Sequence, residues 1–464
     1  MRSKVRSASD NASTGEPPSG RLLVATERAL FTFSRFSPIN LVVLVRLEGP
    51  KLGELLPDAL AAMQARHPLL RARITGTASR PRFEISNDAA APAGVGAIPL
   101  KLGSADDDLD PAADALTVVE HEMNAPFDTG RGPLARVTSI SGGTGSDLVL
   151  TLHHAVADGT STANLMHELL DWCGARIARN ASDAPVQQAP LPLPLPPPLT
   201  EVLPASMRGT RQQRQELRFA LGQGREEVGY RRGSRGQRHP IPAKGRVVTR
   251  ALGLDADGST SLINSARRRR LTMTSVLSAA ILQQASVYLY GGRPTTMRAI
   301  VWVDLRPYLN PPVSNETLGC YASMLRFVIR VDPNGGFAAL ASSVQEHIER
   351  AARCGDRIPA ALMSAPMAGI MHRVPLGRLG TTAISYAAVP PVNDSYGPIT
   401  VRELRAFVSN APTGAELAAS SGVTAGALWC NLLYLDSELT PDTAAAVGDG
   451  LLATLRGFAD AETT

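Results

Sequence analysis

The chain has 464 residues, about three times the roughly 150 of a typical domain, which excludes a single small module and leaves room for two or three units, each with a core. Hydrophobic residues make up 44% and charged residues 19%, ordinary globular usage that excludes wholesale disorder and a fibrous repeat. The net charge is +5, but residues 208–250 hold 12 Arg and Lys against 3 Asp and Glu, so this segment alone carries +9 and the remainder −4, which argues against a uniformly basic nucleic-acid-binding surface.

The first twenty residues, MRSKVRSASDNASTGEPPSG, are basic and polar with no apolar run behind them, so a disordered tail over 1–20 is expected rather than a secretory signal. No stretch of about 18 apolar residues occurs, so no transmembrane segment is expected and the reading is a cytoplasmic protein. The β-branched run Leu41 to Leu47 suits a buried strand. After it, Leu56, Leu60 and Met63 recur at helical spacing, and His67-Pro68 stops the helix. LLRARI, LARVTSI and DLVLTL read as further strands, the last two separated by the turn signal GGTGS at 142–146.

Residues 185–204 contain eight prolines. Proline lacks the amide donor and has a fixed φ, so this stretch is an extended or polyproline II connector, with a ligand for an SH3-type domain as the functional alternative. The basic segment that follows reads as a solvated linker, on which a phosphate-bearing ligand or an acidic partner could dock. Together they divide the chain into an N-terminal half over 21–180, a crossover linker over 181–245 and a C-terminal half over 246–464. The second half opens with a strand at RVVTRALGL. A helix follows from Thr274 to Ser286, with an apolar face of Val276, Leu277, Ala280 and Ile281 behind a threonine cap. AIVWVDLRPYL, MLRFVIRVD, TTAISYAAV and ALWCNLLYL complete the strands, which makes the fold class α/β.

Chemistry concentrates in LTLHHAVADGTSTANLMHELL. A strand over Asp147 to Leu152 delivers His153 and His154 to its C-terminal end, and a helix begins near Ser161, burying Leu165, Leu169 and Trp172. Successive residues leave a strand on opposite sides, so one histidine faces a given cavity and the other is structural. An imidazole with a pKa near 6.5 takes a proton from a hydroxyl or amine at neutral pH, and the helix N-terminus adds unpaired amide donors. Two rival chemistries remain. Gly159-Thr160-Ser161-Thr162-Ala163 approaches the G-x-S-x-G nucleophile elbow, but it lies too far beyond the strand and ends in Ala, so Ser161 is read as a helix cap. His153, His154 and Asp158 are metal-ligand types, but adjacent histidines seldom share one ion, and no metal is expected.

The heptad His153-His154-Ala155-Val156-Ala157-Asp158-Gly159 resembles the HHxxxDG motif of the superfamily that includes chloramphenicol acetyltransferases, peptide-synthetase condensation domains, plant BAHD acyltransferases and polyketide-associated acyltransferases. ALAAMQARHPLLRARI, EHEMNAPFDTGRGPLARV and VDLRPYLNPPVSNETLGCYASML resemble further segments of that superfamily, in its order, across residues 21–330. The standalone polyketide-associated acyltransferases are the nearest likeness, and the plant DFGWG sequence is missing.

The resemblance implies a chloramphenicol acetyltransferase-like fold: two similar subdomains, each a mixed β-sheet flanked by helices, with an active-site tunnel at their interface. It implies transfer of an acyl group from a thioester to an alcohol in lipid or polyketide metabolism. No cofactor would be bound permanently; acyl-coenzyme A or a phosphopantetheinyl acyl carrier protein would serve as co-substrate, with that carrier or a polyketide synthase as partner and no nucleic acid. Amide formation on an amine, or an inactive carrier-binding scaffold, are the alternatives. In the catalytic set His154 would be the base, and Asp158 would act through an ion pair with Arg306 rather than by orienting the ring. His153 and Gly159 would be structural parts of the motif, and Ser385 a candidate oxyanion donor.

The four cysteines, Cys173, Cys320, Cys354 and Cys430, are widely spaced and read as reduced thiols. The remaining histidines, His67, His121, His167, His239, His347 and His372, carry no motif and are assigned structural or surface roles.

Overall fold

The computed structural model describes residues 19–85, 95–104, 114–180, 191–234, 245–373, 378–387, 392–409 and 414–461. The tail expected over 1–20 lies almost wholly outside them, as do part of the proline segment, His239 and the side chain of His372.

The first half runs β1 (Ser19–Leu22), α1 (Ala25–Ser34), β2 (Asn40–Glu48), α2 (Leu56–Arg66), β3 (Ala72–Thr77), β4 (Arg80–Ile85), β5 (Leu100–Ser104), α3 (Ala115–Asn124), β6 (Ala135–Gly142), β7 (Gly145–His153) and α4 (Gly159–Asn180). After a crossover that includes α5 (Gly209–Gly233) come β8 (Val247–Leu254), α6 (Ala256–Arg268), α7 (Met273–Tyr288), β9 (Thr295–Asp304), β10 (Ala322–Val331), α8 (Phe337–Arg353) and α9 (Arg357–Arg373). The chain ends on β11 (Gly380–Ala387), β12 (Ser395–Tyr396), β13 (Ile399–Val408), β14 (Ala415–Thr424), β15 (Ala427–Leu435) and α10 (Pro441–Asp460).

Two mixed six-stranded sheets dominate, in the orders β12-β13-β2-β7-β6-β5 and β10-β9-β11-β14-β15-β8, beside a small sheet β1-β4-β3. The period of two in β2 sorts its side chains between layers. Leu41, Val43, Val45 and Leu47 pack with α2 and α4, whereas Val42 and Leu44 meet α3 and, across from them, Ile300, Ala418 and Leu433 of the second sheet. The inner faces of the two sheets therefore share one core, and α6, α7 and α10 cover the outer face of the second.

Two boundaries differ from the sequence reading. The C-terminal half does not keep all its strands: β13 pairs antiparallel with β2, from Thr400 opposite Glu48 to Val408 opposite Leu41, and so completes the first sheet. Its buried Val401, Leu404 and Phe407 need an apolar surface, which the edge of β2 supplies. The crossover is not a free linker either. Arg21 Nε donates to Pro196 O at 2.8 Å, Tyr321 Oη donates to Pro197 O at 2.7 Å, and the basic segment forms the 25-residue helix α5. Only Phe219 and Tyr230 of that helix are buried apolar residues. Three interior glycines, Gly222, Gly224 and Gly229, interrupt it in sequence, which weakens the periodic signal that would mark a helix.

Candidate active site

β7 delivers the two histidines as the strand period requires. His153 lies opposite Asn40 of β2, and the His153 and His154 amides donate to Leu134 O and Ile39 O at 3.0 and 2.9 Å, so both backbones are held before the loop begins. His153 Nδ1 accepts the Ala155 N–H at 3.1 Å, and its ring meets Phe127 edge-on at 6.0 Å. Burial, with neighbouring His154 second, lowers its pKa to about 3, so it is a neutral packing residue.

His154 is arranged differently. Its Nδ1 lies 2.8 Å from Ala157 O. A carbonyl only accepts, so Nδ1 carries the hydrogen and Nε2 keeps its lone pair. Burial pushes the pKa down, outweighing the hydrogen bond to Ala157 and the charge of Asp158, and the ring is neutral at pH 7.

Asp158 caps α4 and turns away from the imidazole. Its Oδ1 accepts the Ser161 N–H at 2.9 Å and the Ser161 hydroxyl at 3.0 Å; its Oδ2 accepts Arg306 Nη1 at 2.7 Å and the Tyr321 N–H at 2.8 Å. Burial pushes this carboxyl up, but Arg306 and the donors win and hold it below the usual carboxylate range. The Arg306 guanidinium, only 1% exposed, also reaches Asp304 at 3.2 Å and the carbonyls of Thr317 and Gly319, both at 3.2 Å. Burial would depress Arg306, but the two aspartates raise it above its ordinary value. The first turn of α4 is thus clamped to the loop that follows β9, and Thr160 Oγ1 adds a bond to Asp304 at 3.1 Å.

Ser161 is not the cap itself. Asp158 is, and Ser161 sits three residues on as its reciprocal partner, its hydroxyl also 3.1 Å from the Asp158 N–H. Its Oγ is buried among Asp158 and Gly319 O, with no base beside it. Ser161→Ala is expected to leave turnover near normal and to cost about 1 kcal/mol of stability, measured by paired rate assays and denaturation curves. A hundredfold loss of rate in a folded variant would restore the nucleophile reading. The same contacts occupy both oxygens of Asp158, so Asp158 and the two histidines do not converge as metal ligands.

A cavity of about 120 Å³ lies between the two sheets. His154 lines it, and His153, Asp158, Gly159, Arg306 and Ser385 do not. β11 contributes Ala383 to the lining, and Ser385, half-buried, stands two residues further along the same strand. The lining is otherwise almost wholly apolar and comes from α1, α9 and strands of both sheets. Its hydroxyls are already committed: Thr26 donates to Ala322 O, Ser364 to Ala361 O and Ser409 to Met123 O. A Cβ at Gly159 would meet no atom within 4 Å, so protein packing does not require glycine there and open space adjoins the N-terminus of α4.

Sequence reasoning missed α9 and α1, which form much of the wall through Ala29, Phe33, Ala361 and Ala368. These small and aliphatic residues carry no chemical signature. Three of the remaining histidines have structural partners, His67 with Glu168 at 2.9 Å, His167 with Tyr396 at 2.6 Å, and His347 stacked on Phe327, and His121 is exposed.

Two family models match the chain, the condensation domain over residues 33–188 and the C-terminus of phthiocerol/phthiodiolone dimycocerosyl transferase over residues 243–434. Phosphinothricin tripeptide synthetase PhsC of Streptomyces viridochromogenes is 28% identical over 327 residues, which cover 67% of this chain and 27% of that protein. The phthiocerol/phthiodiolone dimycocerosyl transferase of Mycobacterium bovis is 29% identical over 204 residues, 43% of this chain and 46% of its relative. The match therefore spans less than half the length of either relative. Among solved structures, trichothecene 15-O-acetyltransferase TRI3 of Fusarium sporotrichioides superposes with a TM-score of 0.75 at 14% identity, covering 96% of this chain and 97% of that one, a likeness of fold.

Proposed function

We propose, for a chain that belongs to the superfamily of condensation domains and related acyltransferases, that it transfers an acyl group from a thioester to an alcohol, with His154 as general base. The observation that carries this reading is the tautomer of His154: Ala157 O holds the hydrogen on Nδ1, so Nε2 is free to take a proton beside an apolar cavity. An ordinary imidazole is half protonated near pH 6.5, whereas this one is shifted toward the basic form.

The step balances without a covalent enzyme intermediate. The alcohol oxygen attacks the thioester carbonyl as its proton passes to Nε2; the tetrahedral intermediate collapses with cleavage of the C–S bond, and the proton passes from the imidazole to the departing thiolate. The apolar lining suits an acyl chain. The donor for the developing oxyanion would come from a group near the cavity, with the Ser385 hydroxyl of β11 as the candidate. Coenzyme A or a carrier protein would present the donor, and a place in lipid or polyketide metabolism agrees with the relatives' names.

The test is product analysis by mass spectrometry with a panel of acyl-coenzyme A and acyl-carrier thioesters and mixed alcohol and amine acceptors. Ester formed by the wild type and not by His154→Ala supports the proposal. Amide alone would assign the peptide-bond alternative, and product from both proteins would remove His154 from the mechanism.

A further inference from the structure

The charges of α5 are sorted by side. Its three carboxylates, Glu216, Glu226 and Glu227, are all partly buried on the side that packs against protein. Glu227 lies 3.3 Å from Arg298 of β9 and 3.6 Å from Arg326 of β10, and Gln223 accepts from Arg326 Nε at 3.0 Å. Phe219 and Tyr230 are buried on the same side. At about 100° per residue the opposite side collects Arg211, Arg214, Arg218, Arg225, Arg231 and Arg232, all exposed. Arg218 reaches Asp356 and Arg231 reaches Glu227, at 2.8 and 3.0 Å. Arg211, Arg214, Arg225 and Arg232 have no carboxylate partner among the described residues.

Along this cationic side runs an apolar ridge. Leu217, Leu221 and Val228 are 61%, 56% and 48% exposed, and they fall within about 40° of one another around the helix. Gly224 lies between them in open space. The ridge runs from Leu217 to Val228, about 17 Å along a helix of 25 residues. Protein partners that take a helix usually offer a groove to an apolar stripe and carboxylates to isolated cations. A ridge of aliphatic side chains set among arginines, with no acidic residue on that side, instead matches a surface that is anionic at the level of the guanidinium groups and apolar just beneath. No described helix is long and apolar enough to cross a membrane, so such a helix lies on the surface and does not span it.

We propose that the outer face of α5 docks on an anionic lipid bilayer, with Leu217, Leu221 and Val228 entering the headgroup boundary and the arginines binding lipid phosphates. α5 packs against α9, whose residues Ala361, Ser364 and Ala368 wall the cavity, so docking brings that wall next to the lipid phase. This surface stands apart from the acyl-transfer reading and does not depend on it.

The test is sedimentation of the full chain with vesicles of phosphatidylcholine alone or in equal parts with phosphatidylglycerol. Partitioning is expected to be at least ~10-fold stronger on the anionic vesicles and to weaken as salt is raised. Leu217→Ser with Leu221→Ser, and separately Arg211→Gln with Arg214→Gln, Arg225→Gln and Arg232→Gln, should each weaken it ~10-fold or more. Both variants should keep the wild-type melting temperature and turnover of a soluble short-chain thioester, because none of these side chains touches the core or the cavity. Equal binding to both vesicle types, or wild-type binding by both folded variants, would overturn the proposal. So would absence of vesicle binding by a protein whose same arginines capture an acidic carrier protein, which would assign the face to that partner.

Discussion

His154→Ala is expected to lower kcat/KM by about 10²–10⁴-fold while the protein stays folded. The variant removes the only imidazole that lines the cavity among the described residues, and it leaves the Ala157 carbonyl without its donor, a loss of about 1–3 kcal/mol if water does not replace it. His153→Gln is the matching control, since it alters the neighbouring buried ring without touching the base. The pH dependence separates a base from a packing residue. Burial holds His154 below the ordinary imidazole value, so kcat/KM should be level from pH 7 upward and fall as the pH drops below about 6.5. An acid limb centred above pH 7 would contradict the environment described for this ring. Stability should fall in the same direction. An unfolded chain takes up protons on both histidines below about pH 6.5, but folded His153 does so only near 3 and folded His154 below its ordinary value. The contribution of the two neutral rings is therefore complete above pH 6.5 and is lost progressively below it, which urea titrations across that range would record.

The parts of this molecule that could be read from sequence are those where one residue type dominates a local pattern. ALWCNLLYL is β15 over Ala427–Leu435, and the threonine at 272 does cap α7 through the Ser275 N–H. The motif loop was legible because imidazole, carboxylate and glycine are chemically distinctive at short spacing. The failures have physical causes as well. β14, AELAASSGVT, is buried along nearly its whole length but built of small residues, so neither hydrophobicity nor alternation marks it. β13 alternates well, yet nothing local reveals that its partner is β2, more than 350 residues earlier. α5 is held by inward-facing polar groups, Glu227 to Arg298 and Gln223 to Arg326, where a periodicity search looks for apolar ones.

Breaking the pair between Asp158 and Arg306 is expected to cost about 3–5 kcal/mol when Arg306 is removed and less when Asp158 is, the first being the largest stability effect of any single substitution considered for this site. The two groups are 2.7 Å apart and 3% and 1% exposed, so removing Arg306 strands a carboxylate that water cannot reach, whereas removing Asp158 leaves Arg306 its second partner, Asp304, at 3.2 Å. Asp158→Asn also converts an acceptor of four donors into a group that accepts at one atom only, which disturbs the Ser161 and Tyr321 amides together. Arg306→Met leaves Asp158 with no counter-charge and frees the carbonyls of Thr317 and Gly319. The double variant should be less damaging than the sum of the two, because it leaves no buried charge unpaired, only Asp304, which is one-third exposed, and that non-additivity is the signature of a direct pair. Denaturation of all four proteins closes the cycle. The pH profile adds a second readout: the folded carboxyl is depressed, so its contribution is present above the unfolded carboxylate value near 4 and is lost as the pH falls through the lower folded one. Rates should follow stability only in part. The pair clamps the first turn of α4 to the loop after β9 without a bond to the imidazole, so folded Asp158→Asn should lose rate through a loosened helix end, and its acid limb should move to lower pH because the charge of Asp158 raises the His154 pKa. An unmoved limb would mean instead that the charge of Asp158 is screened from the ring.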